Sequence, residues 1–123
     1  KEFKPSDEII HFCQKNHLEQ RWSFTNDARD AVKNADVVYT DVWVSMGCEK
    51  ESEERLVQMN PFRVDQSILS HAKKNALFMH CMPAHPGEEV SQEVLNSPQA
   101  ILFDQAENRL HIQKAILAKL ANK

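Results

Sequence analysis

Three apolar runs constrain the fold of this chain more than any other feature. They are "DVVYTDVWV" (36–44), "NALFMHCM" (75–82) and "QAILFD" (99–104). None keeps the strict polar alternation of a half-exposed strand, and the first is rich in β-branched and aromatic residues. Each therefore reads as a strand covered on both faces. "RWSFT" (21–25) is a shorter strand candidate. The stretches between them carry helical signals. "SDEIIHFCQKN" (6–16) opens with Ser6 as an N-cap, and Ile9, Ile10 and Cys13 can share a face. "NDARDAVKNA" (26–35) sets Ala28, Ala31, Val32 and Ala35 at the spacing of a buried helical stripe. "SMGCEKESEERLVQMNPF" (45–62) reads as a loop leading into an irregular helix that ends at Pro61. "RVDQSILSHAKK" (63–74) is helical with Asp65 as its cap, and "EEVSQEVLNS" (88–97) is a short helix. From Glu107 onward the chain reads as one helix with Ile112, Ala115, Ile116 and Leu120 on one side.

Helices alternating with buried strands predict an α/β fold, a Rossmann-like parallel sheet with helices on both faces. The 123 residues suit one domain, and 41% hydrophobic residues with only two glycines can bury a core. The net charge of −3 creates no basic field, which argues against a nucleic-acid partner. No apolar run approaches the roughly 20 residues of a bilayer span, which argues against a membrane partner. Cys13, Cys48 and Cys81 are odd in number and form no CxxC pair, so a reduced, intracellular setting fits better than a disulfide framework. Neither GxGxxG nor a GKS/GKT phosphate loop is present. The opening "KEFKPSDEII" is not a signal peptide, and it reads as if the chain begins partway through something larger.

Ligands of parallel α/β sheets bind beyond the carboxyl ends of the strands. That rule selects the ends of "VVYTDVWVSMG", "ALFMHCMP" and "AILFDQAENR" as three walls of one site. Asp41 lies in an apolar run, where a carboxylate needs either a ligand or a partner; its plainer reading is an N-cap. His80 and Cys81 are adjacent, so within a strand they face opposite ways and cannot readily share a metal. "HCMPAH" also lacks the ligand spacing of familiar zinc sites. Cys81 as a nucleophile would need a base such as His85 or His111, and a buried structural cysteine is an equal alternative. Pro83, closing a buried strand, is a candidate for a cis bond. Arg109 stands near the expected start of the last helix with Asp104, Glu107 and Asn108. It suits a phosphate or carboxylate there, or a surface ion pair.

Taken together, "DVWVSMG", "MHCMPAHPGEEV" and "FDQAENRLHIQKAIL" closely resemble the ornithine carbamoyltransferases, in that family's order and approximate spacing, from about Thr25 to the C-terminus. The resemblance implies transfer of the carbamoyl group of carbamoyl phosphate to the side-chain amine of L-ornithine. The products are citrulline and phosphate, in arginine biosynthesis or catabolism, with no cofactor and no metal. It implies two α/β domains per subunit and a homotrimer, in the cytoplasm or, for an animal source, the mitochondrial matrix. Residues 1–123 would be part of the second, L-ornithine-binding domain. The aspartate and putrescine relatives lack the SMG loop, so ornithine is the implied substrate. Carried over, Asp41 would hold the ornithine amine, and Ser45 and Met46 its amino-acid end. Cys81, in the family's HCLP position, would lie beside the reacting amine and help take its proton. The Met82 carbonyl would accept from the carbamoyl amide, and Arg109 would contact carbamoyl phosphate.

The chemistry suits these residue types. A lysine-like ammonium with a pKa of roughly 10 must lose a proton before it attacks a carbonyl. A carboxylate orients it, a thiolate can accept the proton, and an arginine meets the leaving phosphate. Met82 replaces the family's leucine, and Pro86 stands where many members have arginine. The family's Ser-Thr-Arg-Thr loop and HPTQ segment do not occur, so the expectation is a fragment that lacks the carbamoyl phosphate domain and is inactive alone. A non-catalytic amino-acid-binding domain of the same fold is the alternative. A cysteine or zinc hydrolase is the third reading.

Overall fold

The computed structural model describes residues 4–44 and 52–122. The SMG loop, with Ser45 and Met46, and Cys48 lie outside them. Among the described residues two strands form the sheet: β1 (Val37–Thr40) runs parallel to β2 (Leu77–His80), with Val37 opposite Leu77 and Thr40 opposite His80. Six α-helices accompany it among those residues: α1 (Asp7–Lys15), α2 (Ala28–Val32), α3 (Ser52–Met59), α4 (Gln66–Leu69), α5 (Gln92–Leu95) and α6 (Leu102–Ala121). The architecture is the parallel α/β one expected. Among the described residues no helix is long and apolar enough to cross a membrane.

Local chemistry sets the helix starts. The hydroxyl of Ser6 accepts from the Ile9 N–H, and the Asp27 carboxylate from the N–H groups of Arg29 and Asp30. Asp65 accepts from Ile68, and Ser91 from Val94. Each satisfies a first-turn donor that has no partner within its helix. The expected long stripe of α2 is shorter than its pattern: the helix ends at Val32, and Asn34 takes the left-handed backbone (φ 58°) that turns the chain into β1. Ala28 and Ala35 still pack against the core.

On one face of the sheet Val38 and Phe78 meet Val32 of α2, Ile68 and Leu69 of α4, Val94 of α5, and Val64, Val90 and Leu102. Phe78 is fully buried, a burial that contributes about 2–3 kcal/mol. The opposite face is more open than the strand pattern predicts, with Val37, Tyr39 and Leu77 exposed. The short helix α4 hands the chain back to the sheet through Ala76, whose N–H bonds the Lys73 carbonyl, and the Leu77 N–H bonds the Asp36 carbonyl.

Two strand expectations fail. Glu19–Arg21 is a 3-10 turn, and Trp22 after it is extended but pairs with no strand among the described residues. "QAILFD" yields only one parallel bridge, Phe78 with Ala100, built from Phe78 N–H to the Gln99 carbonyl (2.7 Å) and Ile101 N–H to the Phe78 carbonyl (3.0 Å). Helix α6 starts at Leu102 rather than Glu107. "FDQAENRL" contains no glycine, proline or β-branched residue, so helix propagates back until Leu102 reaches the core. Beyond Leu102, α6 leaves Phe103, Leu110, Ile112, Ile116, Leu117 and Leu120 exposed.

Candidate functional site

Because β1 and β2 run parallel and in register, both carboxyl ends open on one edge, and Asp41 and Cys81 follow them directly. The Cys81 thiol donates to Asp41 Oδ1 at 2.8 Å, and the Val42 N–H donates to the same oxygen at 2.7 Å. The two donors hold the Asp41 carboxyl below its ordinary pKa, the Cys81 hydrogen bond being the larger cause. Burial pushes the Cys81 thiol up; its bond to Asp41 and that residue's negative charge push the same way, and the Tyr39 hydroxyl opposes them. The pair thus rests as a carboxylate and a thiol. Neither histidine considered as a base for Cys81 bonds it. His111 pairs instead with Glu107 one turn away (3.0 Å), and His85 leans toward Glu89 (3.9 Å).

The next residue turns sharply. Met82 adopts the left-handed region (φ 59°), a cost of about 1–3 kcal/mol outside glycine that persists only where surroundings enforce it. Its N–H donates to His80 Nδ1 at 2.8 Å, and its bond to Pro83 is cis, as a proline at this strand end suggested. His80 and Cys81 do diverge. His80 is buried on the core side, where Nε2 lies 3.1 Å from Glu89 Oε1, while Cys81 faces Asp41.

Gln105 of α6 ties the third wall to the other two. Its Oε1 accepts from the His80 N–H (3.0 Å), and its Nε2 donates to the Tyr39 hydroxyl (3.3 Å). Four residues on, Arg109 lines the same open groove as Cys81 and Met82, of about 740 Å³. Arg109 is not at a helix N-terminus, because α6 begins seven residues earlier; it projects from the second turn. The surface pair with Glu107 or Asp104 does not form. Arg109 has no hydrogen bond or ion pair among the described residues, and Glu107 is taken by His111. Its cationic fork is open to an anion. Asp41 borders a second cavity of about 880 Å³, with Trp43, Phe24 and Phe62 on its walls, and Tyr39 borders both.

The structure therefore brings Cys81, Met82 and Arg109 to one groove and ties Asp41 to it through the Cys81 thiol; Ser45 and Met46 fall outside the described residues. Tyr39, Gln105, His80 and Glu89 were not foreseen as site residues. Only His80 and Glu89 had a sequence signal, their place in the "HCMPAHPGEE" segment. Ligand atoms of His85, Glu88 and Glu89 lie within 4.8 Å of one another. Glu89 Oε1 is occupied by His80 Nε2 and by the His85 N–H (2.6 Å), while Oε2 is buried without a hydrogen-bond partner among the described residues, 3.9 Å from His85 Nδ1.

The family profile "Aspartate/ornithine carbamoyltransferase, Asp/Orn binding domain" matches residues 1–120. The ornithine carbamoyltransferase of Chlorobaculum tepidum is 54% identical over 116 residues, covering 94% of this chain and 34% of that protein. The anabolic ornithine carbamoyltransferase of Pyrococcus furiosus is 50% identical over 118 residues, covering 94% and 38%. The crystal structure of the anabolic ornithine carbamoyltransferase of Campylobacter jejuni superposes with a TM-score of 0.88 at 41% identity, over 99% of this chain and 41% of that one. The chain spans well under half the length of these relatives. With the family profile matched along nearly all of its length, this chain belongs to the aspartate/ornithine carbamoyltransferase family, in the part that forms the aspartate/ornithine-binding domain.

Proposed function

We propose that residues 1–123 are the L-ornithine-binding part of an ornithine carbamoyltransferase whose carbamoyl phosphate-binding domain lies elsewhere in the full-length protein. The carrying observation is the 2.8 Å contact of Cys81 with Asp41, with Cys81 sharing its groove with Arg109, a residue that has no partner among the described residues.

In this reading Asp41 attracts the side-chain ammonium of ornithine. The free site keeps its negative charge on Asp41 and its proton on Cys81. Burial first, and then the Asp41 contact and charge, hold the proton on Cys81; a docked ammonium offsets the charge, so substrate binding favours loss of the thiol proton to solvent and leaves a thiolate. Cys81 then takes the ammonium proton. The neutral amine attacks the carbonyl carbon of carbamoyl phosphate, the carbon–oxygen bond to phosphate breaks, the second amine proton passes to the departing phosphate oxygen, and Arg109 meets the resulting hydrogen phosphate dianion. The Met82 carbonyl accepts from the carbamoyl amide, and Ser45 and Met46 hold the amino-acid end of ornithine. No cofactor or metal enters these steps.

The exposed apolar side chains of α6 are, in this reading, covered by the rest of the subunit, and the working assembly is a homotrimer. A reduced compartment fits a chemistry that uses a free thiol: the cytoplasm, or the mitochondrial matrix for an animal source. The deciding assay follows phosphate release and the carbamoylated product (citrulline for ornithine) from carbamoyl phosphate with L-ornithine, aspartate or putrescine as acceptor. Citrulline from the full-length protein, none from residues 1–123 alone, and no product with the other acceptors is the expected result. Turnover of aspartate or putrescine in place of ornithine would overturn the substrate assignment.

A further inference from the structure

We propose that His80 and Glu89 form a positioning pair that sets the Met82 backbone against the carbamoyl end of an acyl phosphate substrate. The substrate class rests on the function proposed above. The pairing itself stands on geometry.

Both side chains are completely buried, at 0% exposure, an unusual state for an imidazole and a carboxylate. A backbone N–H can only donate, so the 2.8 Å bond from Met82 N–H requires His80 Nδ1 to be an unprotonated acceptor. The ring proton then sits on Nε2, which donates to Glu89 Oε1 at 3.1 Å. Glu89 thereby fixes the tautomer, and the tautomer fixes Met82. The same oxygen accepts the His85 N–H at 2.6 Å, so one carboxylate secures both ends of the segment between Met82 and His85. Glu89 is itself held by the core: the Val64 N–H bonds its carbonyl at 2.9 Å, the Ser91 N–H bonds the Val64 carbonyl at 3.0 Å, and Val64 bridges Val90.

The chain of contacts thus runs from the packed interior through Glu89 and His80 to a residue whose left-handed φ of 59° needs outside support. Met82 borders the groove that holds Cys81 and Arg109. His80 and Glu89 touch no substrate in this scheme. They act through the backbone of Met82.

Two substitutions in the full-length protein separate the roles of the ring nitrogens. His80→Asn can place its side-chain oxygen near the Nδ1 position and still accept from Met82. His80→Gln can reach toward Glu89 but leaves the Met82 N–H without its acceptor. Losing that half-buried bond is expected to raise KM for carbamoyl phosphate about tenfold or more in His80→Gln, with KM for ornithine changed less than about twofold. His80→Asn is expected to recover most of the loss. Equal effects of the two substitutions, or equal loss for both substrates, would overturn the proposal.

A second measurement needs neither activity nor a variant that folds well. Ring 15N resonances of His80 in the wild-type full-length protein should report an unprotonated Nδ1 and a protonated Nε2. The opposite tautomer, or an imidazolium, would sink the proposal. Should the full-length protein make no citrulline while His80 shows the stated tautomer, the substrate assignment fails and the positioning pair stands.

Discussion

At the contact between Cys81 Sγ and Asp41 Oδ1, one negative charge and one proton are divided between two groups that the sequence holds 40 residues apart. The sign follows from the partners. A thiol whose pKa is raised keeps its proton to higher pH than a free cysteine, and a carboxyl whose pKa is lowered stays charged to lower pH. Whatever stability the Asp41 contact contributes is therefore present above the ordinary carboxylate pKa and lost as pH falls through the lowered one. For an exposed carboxylate that contribution is small. The thiol side is the better probe. Alkylation of Cys81 by iodoacetamide, followed by peptide mass mapping, should begin at higher pH than for an unperturbed thiol. Asp41→Asn should bring that onset down, since it removes the charge. An unchanged onset would mean that burial alone raises the thiol. The places of Asp41 and Cys81 were legible beforehand, because they follow strands whose apolar runs are local and whose ends a parallel sheet turns into a site. Their direct bond was not. Nor were the contacts of Gln105 with Tyr39 and with His80, which span 66 and 25 residues, nor that of Glu89 with His80. Composition and periodicity carry no information on which distant side chains meet.

At the level of elements, the starts of helices were readable where a short polar side chain precedes an apolar stripe. Ser6 and Asp65 both cap as their sequence context suggests. Removing the Asp65 cap (Asp65→Ala) should cost about 1 kcal/mol, read as a lower urea midpoint with an unchanged slope. Phe78→Ala, which empties the centre of the core cluster, should cost about 3–5 kcal/mol in the same experiment. "QAILFD" was harder. A run of that length suits a strand or a helix equally, and the outcome depends on what lies beside it. Here β2 offers Ala100 a single bridge, while the helix-forming sequence downstream offers a continuous ladder of bonds, so α6 takes Leu102 onward. The early start of that helix moves Arg109 from a terminus to a flank. An anion meeting Arg109 in the proposed function would then be held by the guanidinium without help from the helix dipole, whose influence fades after the first turn.

Over the described residues the packing is one-sided. The core lies on one face of a two-stranded sheet, and a 20-residue helix extends from it with apolar side chains in water. If the rest of a carbamoyltransferase subunit covers that helix, hydrogen exchange should separate the two states. Amides of residues 103–121 should exchange quickly in residues 1–123 alone and be protected in the full-length protein. Equal exchange in both would mean that α6 has no partner in the subunit. The α/β class was legible from the alternation of runs and helices. The open face was not, because a sequence shows that a strand is apolar without showing whether its cover is present.

Helix α6 is also a lever pinned near one end. Leu102 sits in the core and Gln105 is bonded to both strands, while the far end, about 28 Å away at Ala121, has no such anchor. A tilt of about 5° around Leu102 would carry Ala121 through roughly 2.5 Å, yet would shift the Arg109 backbone by only about 1 Å and Gln105 by less than half that. The guanidinium sits close to the fulcrum, so large excursions of the distal helix reach the groove as small, graded adjustments of one charge.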